Sequence, residues 1–502
     1  MSKVTILVML LTVISKIFGF LRISVVNSLF GSGPVSNVFI TIFDFPTTMM
    51  ALVAISIILS MIPTYSSIEK NSEKRAELYI SNLFNIVVFI SAIVSLLVFL
   101  FPGVTVNLFY DYQTAYEIEL ATLFMRVVAF GSLCLSISNM MNGYLNLKDS
   151  FIIPASLSVV LNVIVISGVY FASISDIILL PYAVMAGFLI EALVAFYFAT
   201  KKGFRLRNSL RFNIPSVKHT FRMSFPIMIN TWISQLGIAV RRYLGTGLGT
   251  SAPVYFNSAV IISTSVQGIF ATSILNVMYP TLSRQAARNN IAGVKKTIRD
   301  LIVVMGVFVI PITVGGMILS TPLMTLLYHR GAFTMVDVTN TAQIFFISCL
   351  SFFPLCIVDL MLQVFYSLKN TKLPMRIEGI NLVISVILML VLSQLYGIVG
   401  LIIAQVISLS LKMLLMIIIF IKQYGGFGFK LVISDLLKIM LATAVMGLVT
   451  YFSYDVISAM AGNTMATLLA LVLSIVVYLP VIFFSRIESV DLFIASMTKG
   501  RK

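Results

Sequence analysis

Residues 83–101 of this chain read LFNIVVFISAIVSLLVFLF, a stretch without a charged side chain. A helix that crosses the hydrocarbon core of a bilayer needs about 20 mostly apolar residues. This segment therefore predicts a transmembrane helix, and segments of the same kind recur along the chain. How many there are, and which way each one crosses, decides the fold.

The overall composition agrees with this interpretation. The chain has 502 residues, of which 59% are hydrophobic and 10% are charged, and its mean hydropathy is +1.05. Soluble domains are about 45–50% apolar and about 25% charged, so the composition excludes a soluble, disordered, collagen-like or disulfide-rich protein. The three cysteines (Cys134, Cys349 and Cys356) lie in apolar runs, which favours core packing over a redox or metal site.

Charge clusters, prolines and glycines divide the chain into fourteen predicted transmembrane helices. Their ranges are 4–29, 36–62, 78–101, 117–145, 151–173, 177–200, 219–248, 253–283, 298–319, 338–368, 374–394, 399–421, 431–452 and 465–485. The sequence therefore predicts an all-α polytopic membrane protein.

Lysine and arginine residues are distributed unequally between the two sides of this plan. If both termini are cytoplasmic, about 26 of the 34 lie in cytoplasmic segments, and the outside loops contain only Arg330. Positive charge is retained on the cytoplasmic side of inserted helices, so this asymmetry fixes the predicted orientation. The net charge of +16 then suits an anionic lipid leaflet and does not indicate nucleic-acid binding. We predict a multi-pass membrane protein with both termini in the cytoplasm.

The chain contains an internal repeat of about 220 residues. Pro63-Thr64-Tyr65-Ser66 after span 2 matches Pro280-Thr281-Leu282-Ser283 after span 8, and residues 143–148 match residues 365–370. Because the repeat contains six spans, we expect two six-helix lobes related by a pseudo-two-fold axis along the membrane normal. The predicted parts are an N-terminal lobe (1–200), a basic cytoplasmic loop (201–218), a C-terminal lobe (219–424), and spans 13 and 14 with a cytoplasmic tail (425–502).

Motifs for catalysis are absent from the sequence. The two histidines, His219 and His329, lie in separate loops, and we find no zinc-ligand spacing, phosphate-binding glycine loop or nucleophile elbow. We therefore predict a transporter with no catalytic residues, no metal site and no cofactor. A membrane transferase is the remaining enzyme hypothesis.

Four cations lie inside predicted spans, where charge is costly and marks a functional site. Lys16 and Arg22 are in span 1, and Arg241 and Arg242 are in span 7. A cavity lined by these side chains would suit a phosphate or diphosphate, because guanidinium groups donate two parallel hydrogen bonds. The alternative for Lys16 and Arg22 is that they extend to the headgroup layer. Arg126 in span 4 is a further candidate for the cavity, or an interfacial anchor.

Three acids also lie within apolar runs. Asp44, Glu191 and Asp359 could each be an ion or proton coupling site or pair with a neighbouring cation. Asp44 is the best coupling candidate, and structural pairing is the plainer interpretation of Glu191 and Asp359. We expect Lys412 and Lys438 to extend toward the headgroups.

Five groups of residues form a recognisable set: Ser15-Lys16-Ile17-Phe18-Gly19-Phe20-Leu21-Arg22, Phe30-Gly31-Ser32-Gly33, Phe45-Pro46 with Pro63, Leu327-Tyr328-His329-Arg330-Gly331-Ala332-Phe333-Thr334, and Phe365-Tyr366-Ser367 through Thr371-Lys372-Leu373-Pro374. Together they resemble the bacterial lipid II flippase family (MurJ, formerly MviN), which belongs to the multidrug/oligosaccharidyl-lipid/polysaccharide (MOP) exporter superfamily. The resemblance implies a protein of the bacterial cytoplasmic membrane.

The resemblance implies fourteen spans and the movement of an undecaprenyl-diphosphate-linked sugar-peptide from the cytoplasmic to the outer leaflet by alternating access. It implies a cationic central cavity in which Lys16 and Arg22 contact the diphosphate, and a groove at spans 13 and 14 for the lipid tail. Membrane potential or a coupling cation would drive the cycle. Cell-wall synthesis proteins are further expected partners.

The sequence departs from the family in its charged residues. Ile23 and Asn37 stand where the family usually has acids, and Asn257 lies in a stretch that is usually charged; Asn37 and Asn257 are added as binding candidates. Arg241 and Arg242 replace polar or acidic residues. These changes leave two alternatives open: a flippase for another lipid-linked oligosaccharide (a capsule, teichoic or teichuronic precursor), or a non-transporting cell-wall scaffold that uses loop 201–218.

Overall fold

A computed structural model of the chain describes residues 3–370 and 372–485, and every regular element in these ranges is helical. The elements are α1 (Lys3–Phe30), α2 (Pro34–Phe43), α3 (Phe45–Met50), a π-helix (Ala51–Ile55), α4 (Ser56–Glu69), α5 (Glu73–Leu100), α6 (Pro102–Phe109), α7 (Ala115–Val128), α8 (Gly131–Leu147), α9 (Ile152–Ile174), α10 (Leu179–Lys201), α11 (Pro215–Gly247), α12 (Ala252–Ala287), α13 (Ile291–Ile318), α14 (Ser320–Tyr328), α15 (Met335–Cys349), α16 (Phe352–Ser367), α17 (Lys372–Tyr424) and α18 (Phe429–Phe484). The all-α prediction is confirmed, and the predicted tail from residue 486 onward lies outside the described residues.

The packing of the chain forms two compact units, residues 1–254 and 255–502. In the first unit, α1 packs on α9, α9 on α10, and α10 on α8, while α11 lies along α4. In the second unit, α13 packs on α18 and α16 on α17. Because α11 groups with the first unit, the boundary falls after the predicted span 7. The lobe limits 1–200 and 219–424 therefore stay a prediction, as does their symmetry axis.

The longest helices, α17 and α18, are helical hairpins. Each is broken by a glycine with positive φ, Gly397 (58°) in α17 and Gly462 (77°) in α18. Without a Cβ, glycine adopts this conformation at little cost. In α18 a hydrogen bond of 2.8 Å joins Thr450 to Ser474 across the break. Each hairpin therefore supplies two of the predicted spans.

Nine described helical segments are long and apolar enough to cross a membrane, counting each hairpin once and the run from α2 to α4 (Pro34–Glu69) as one segment. Two further pairs pass the same test together although they are bent: α7 with α8 by 41°, and α15 with α16 by 44°. These bent pairs are the predicted spans 4 and 10, which occupy equivalent positions in the repeat. The total of fourteen spans and the cytoplasmic placement of both termini stay predictions.

The repeat also appears as matched contacts within each unit. Tyr110 donates to the Thr41 carbonyl at 2.8 Å, and in the other unit Tyr328 donates to the Ser258 carbonyl at 2.9 Å. Helix α7 begins with Thr114 hydrogen-bonded to Glu117.

In the second unit, the hydroxyl of Thr334 likewise bonds Asp337 at the start of α15. Each acid then accepts a second hydrogen bond from an earlier helix: Glu117 from Asn37 at 2.7 Å, and Asp337 from Tyr255 at 2.7 Å. Corresponding residues are about 220 positions apart. The predicted internal repeat is therefore confirmed at the level of individual hydrogen bonds.

Glycines allow α9 and α10 to approach closely. A Cβ added to Gly168 would lie 2.1 Å from the Cβ of Ala183, and one added to Gly187 would lie 2.7 Å from a methyl of Leu161. Small residues permit such contact between membrane helices, where packing replaces the hydrophobic effect as the driving force.

We expect Gly168→Ala to destabilise the first unit by about 1–3 kcal/mol, the usual cost of overpacking. The change should lower the midpoint of thermal unfolding in detergent, followed by the reaction of a thiol-specific dye with the buried cysteines. Gly379→Ala is the matched control, since no described atom lies within 4 Å of its added Cβ. Equal midpoints for both variants would show that the α9–α10 contact adapts.

Candidate functional site

Arg22 is fixed inside the first unit by two other helices. Its Nη1 donates to Oδ1 of Asn162 on α9 at 3.1 Å, and its guanidinium carbon lies 3.6 Å from the centroid of the Phe43 ring. A cation over an aromatic face is stabilised by the ring quadrupole. Its Nε is buried and has no hydrogen-bond partner within the described ranges. Arg22 is thus held in place while one donor remains unused.

Asp44 lies where the second predicted span is broken. Pro46 has no N–H to continue the helix, so α2 ends at Phe43 and α3 begins after Asp44. The Asp44 carboxylate pairs with Arg242 at 3.1 Å, and Arg242 also donates to the hydroxyl of Thr48 at 2.9 Å. The pair is only partly shielded, with side-chain exposures of 20% for Arg242 and 38% for Asp44.

Asp44 forms an ion pair with one arginine and lies near two others. Besides its contact with Arg242, it lies within electrostatic range of Arg22 and Arg241. The structure therefore brings together three of the four predicted cations and the predicted coupling acid. We call Arg22, Asp44, Arg241 and Arg242 the arginine cluster.

The position of α11 depends on an irregular turn in the neighbouring chain. The wider ring of the π-helix disturbs the regular helical pairing, and the carbonyl of Leu52 within it accepts a hydrogen bond from Nε1 of Trp232 at 2.9 Å. Ser56 and Thr231 contact each other at 3.4 Å. These contacts fix α11 against the segment that carries Asp44 and thereby set the distance to Arg242.

Two predicted cations lie outside this arrangement. Lys16 is exposed on α1, among the exposed apolar side chains Val13, Ile14 and Ile17. Arg126 is exposed on the last turn of α7. Neither forms an ion pair with a described acid. Both therefore differ from Arg22 in environment, and their predicted contact with a ligand stays a prediction.

The two asparagine candidates occupy different environments. Asn37 is completely buried and its amide is used by Glu117, which is also completely buried. This position makes Asn37 part of the packing between α2 and α7, and we leave it out of the proposed site. Asn257 belongs to α12 in the second unit, where its side-chain oxygen is buried without a partner in the described ranges.

Glu191 and Asp359 pair with neutral donors. Glu191 accepts from Ser138 at 2.9 Å, and Asp359 accepts from Gln267 at 2.6 Å. Neither contact is the pairing with a cation that the sequence suggests, and the role of these two acids stays a prediction.

The expectation for Lys412 is wrong. Its side chain is only 11% exposed and forms an ion pair with Glu378 across the α17 hairpin at 2.5 Å. The ammonium group is therefore neutralised by a carboxylate of the protein and does not extend toward lipid headgroups. Lys438 pairs with Asp435 and remains 43% exposed.

The second unit contains an apolar cavity of about 460 Å³ between α12, α13 and α18. Its lining includes Ile262, Pro311, Gly315 and Tyr478. The Tyr478 hydroxyl is satisfied by the Val307 carbonyl at 2.7 Å, and Ser474 by Thr450. The lining of the cavity is therefore apolar and suits a hydrocarbon ligand.

Sequence reasoning missed Asn162, Phe43 and Thr48, which complete the surroundings of the arginines. A polar residue inside an apolar span indicates a candidate site residue, and Asn162 could have been found in this way. Nothing in the sequence distinguishes Phe43 and Thr48, because aromatic and hydroxyl side chains are common throughout these spans.

A family model described as Lipid II flippase MurJ matches residues 26–485. The probable lipid II flippase MurJ of Bdellovibrio bacteriovorus is 26% identical over 357 residues, which cover 70% of this chain and 68% of that protein. The probable lipid II flippase MurJ of Borreliella burgdorferi is 22% identical over 451 residues, which cover 88% and 87%.

Solved structures share the fold. A lipid II flippase MurJ in an inward closed conformation gives a TM-score of 0.82 at 23% identity, covering 97% of this chain and 100% of that one. An inward-facing multidrug resistance MATE family transporter of the MOP superfamily gives 0.66 at 12% identity, covering 82% and 95%. From the match over residues 26–485, this chain belongs to the lipid II flippase MurJ family and is a multi-pass inner-membrane transporter, not an enzyme.

Proposed function

We propose that this protein moves lipid II, a polyprenyl-diphosphate-linked cell-wall precursor, from the inner to the outer leaflet by alternating access. Besides family membership, the arginine cluster is the observation that carries the proposal. Its three guanidiniums belong to transmembrane helices and lie near Asp44, which pairs with Arg242. A diphosphate is a ligand whose charge and oxygen geometry match such a cluster.

The chemistry of arginine suits this task. A guanidinium stays charged inside a membrane protein and can bind phosphate oxygens in a bidentate manner. An isolated charge there is costly, so in the absence of substrate Asp44 compensates Arg242. The diphosphate would compete for the same donors and would also engage the unused Nε of Arg22.

The lipid tail requires a different surface. The apolar cavity of the second unit, about 460 Å³ in volume, is within the usual range of about 300–1,000 Å³ for ligand pockets. Part of its wall comes from α18, which contains the predicted spans 13 and 14. We assign this cavity to part of the polyprenyl chain, whose buried methylenes would stabilise binding by about 0.8 kcal/mol each.

Membrane potential is the simplest driving force for this cycle. A net negative headgroup moves outward, and an inside-negative potential favours that movement by about 2.3 kcal/mol per charge per 100 mV. A coupling cation is the alternative driver, with Asp44 as its candidate site. No resident cofactor is proposed.

The arginine cluster would bind any polyprenyl diphosphate, so another lipid-linked oligosaccharide is the second candidate substrate. Complementation of a strain depleted of its lipid II flippase separates the two substrates. Growth supports lipid II, whereas failure of a well-expressed protein that flips a different lipid-linked glycan in vesicles would support the alternative.

We expect Arg22→Gln, or the double change Arg241→Gln/Arg242→Gln, to slow translocation of lipid II in reconstituted vesicles about 10- to 100-fold. Each change removes a charged hydrogen bond worth about 1.5–3 kcal/mol. Arg288→Gln is the matched control, since it removes the same charge from an exposed position that is not a binding candidate. Translocation at the unmodified rate by the cluster variants would remove the proposed diphosphate site.

Asp44→Asn should have two opposite effects. It leaves Arg242 without its carboxylate and so lowers stability, whereas it removes a competitor and so strengthens binding of lipid II. Adding Arg242→Gln should recover part of the stability, with a coupling energy of about 0.5–3 kcal/mol in a double-mutant cycle. Thermal unfolding and lipid II binding by the four proteins measure both effects. Weaker binding by Asp44→Asn alone would indicate that the carboxylate itself serves the ligand.

Gly315→Leu should fill the cavity, because a Cβ added to Gly315 meets only Met446, at 3.9 Å. We expect slower translocation of lipid II with a full-length tail and little change for a short-chain analogue. Gly379→Leu is the control outside the cavity lining. Equal slowing of both substrates would contradict the assignment of the cavity to the tail.

A further inference from the structure

The segment between α10 and α11 is fixed although it has no regular secondary structure. Phe204 is buried and packs against the rings of Phe84, Tyr144 and Phe196, with ring centroids 5.4–5.9 Å apart. The residues after it lie against α5 through side-chain hydrogen bonds. We call residues 204–213 the ledge.

Polar side chains of α5 bind the backbone of the ledge. Asn82 donates to the Arg211 carbonyl at 2.9 Å and accepts from the Arg211 N–H at 2.8 Å. Asn85 donates to the carbonyls of Arg207 and Ser209 at 2.7 and 2.9 Å. Ser81 accepts from the Arg207 N–H at 2.7 Å. These bonds hold the ledge as a neighbouring strand would, so its outward side chains have defined positions.

The outward face of the ledge combines large apolar side chains with cations. Leu206, Leu210 and Phe212 are 52%, 46% and 44% exposed, and Arg205 and Arg211 beside them are also exposed. Three large apolar side chains exposed together on a fixed segment indicate a surface that contacts something other than water. The same mixture is typical of elements that lie in a membrane interface.

The position of the ledge along α5 gives its depth. From Ser81 to its end at Leu100, α5 extends about 30 Å at about 1.5 Å per residue. This length equals the hydrocarbon thickness of a bilayer, about 30 Å. Ser81, Asn82 and Asn85 therefore lie at one boundary of the hydrocarbon, and the ledge bound to them lies at the level of the headgroups.

We propose that the ledge is a binding surface for anionic phospholipid of the cytoplasmic leaflet. Leu206, Leu210 and Phe212 insert beside the acyl chains while Arg205 and Arg211 bind the headgroup phosphates. Anionic lipid is the partner because the apolar and cationic groups alternate along a segment at headgroup depth. The proposal depends on the predicted orientation of the chain and not on the proposed lipid II transport.

Tryptophan fluorescence tests the proposal directly. The chain contains one tryptophan, so Trp232→Phe provides a background in which Leu210→Trp reports only on the ledge. The protein is reconstituted with phosphatidylcholine and phosphatidylglycerol, and bromine is placed on the acyl chains of one lipid or the other. We expect brominated phosphatidylglycerol to quench the ledge tryptophan more strongly than brominated phosphatidylcholine at the same mole fraction.

Two positions calibrate the measurement. Asn71→Trp, in the exposed α4–α5 loop, should escape quenching, and Phe89→Trp, exposed on the apolar part of α5, should be quenched equally by both lipids. If Leu210→Trp fails to fold, Phe212→Trp takes its place.

Charge removal then tests the arginines. Arg205→Gln/Arg211→Gln should abolish the preference for phosphatidylglycerol, since each arginine near the surface contributes about 1 kcal/mol, or about fivefold. Arg284→Gln/Arg288→Gln removes the same charge elsewhere and should preserve the preference. Quenching of the ledge tryptophan as weak as at position 71 would overturn the proposal in favour of a protein partner. Equal quenching by both lipids would also overturn it.

Discussion

A positive charge inside a bilayer needs a partner of opposite charge or a polarisable surface at the same depth. This requirement organises the first unit. Arg242 has Asp44 at 3.1 Å, and Arg22 has the face of Phe43 and the oxygen of Asn162. Each partner comes from a different helix, so the charges specify how α1, α2, α9 and α11 are placed within the unit. Arg22, Arg241 and Arg242 all lie near Asp44, and this concentration of guanidinium groups is the physical basis of the proposed affinity for diphosphate.

The sequence was sufficient for the fold because its main constraint is local. A span is recognised from its own apolar length, and the glycines and prolines that end it are neighbours in sequence. Gly397 and Gly462 mark the turns of the two hairpins, and both fall between predicted spans. The repeat was visible for the same reason, since matched residues keep their spacing.

The site was only partly accessible from the sequence. Four charged residues were easy to recognise because each interrupts an apolar run, where a charge is energetically unfavourable: Arg22, Asp44, Arg241 and Arg242. Which of them meet depends on helix rotation and on the π-helix, and neither is encoded in a local pattern. Lys412 shows the limit: its partner Glu378 lies across a hairpin, and a headgroup was the nearest partner that span position alone could suggest.

The two halves of the chain place different chemistry on one scaffold. In each half a tyrosine, Tyr110 or Tyr328, donates a hydrogen bond to a backbone carbonyl. In each half an acid in the first turn of a helix, Glu117 or Asp337, accepts a hydrogen bond from an earlier helix. These shared contacts involve buried or partly buried groups that cannot be lost without leaving polar atoms unpaired. The two halves differ at positions that take no part in these shared contacts. In the first unit they carry the arginine cluster, and in the second they line an apolar cavity.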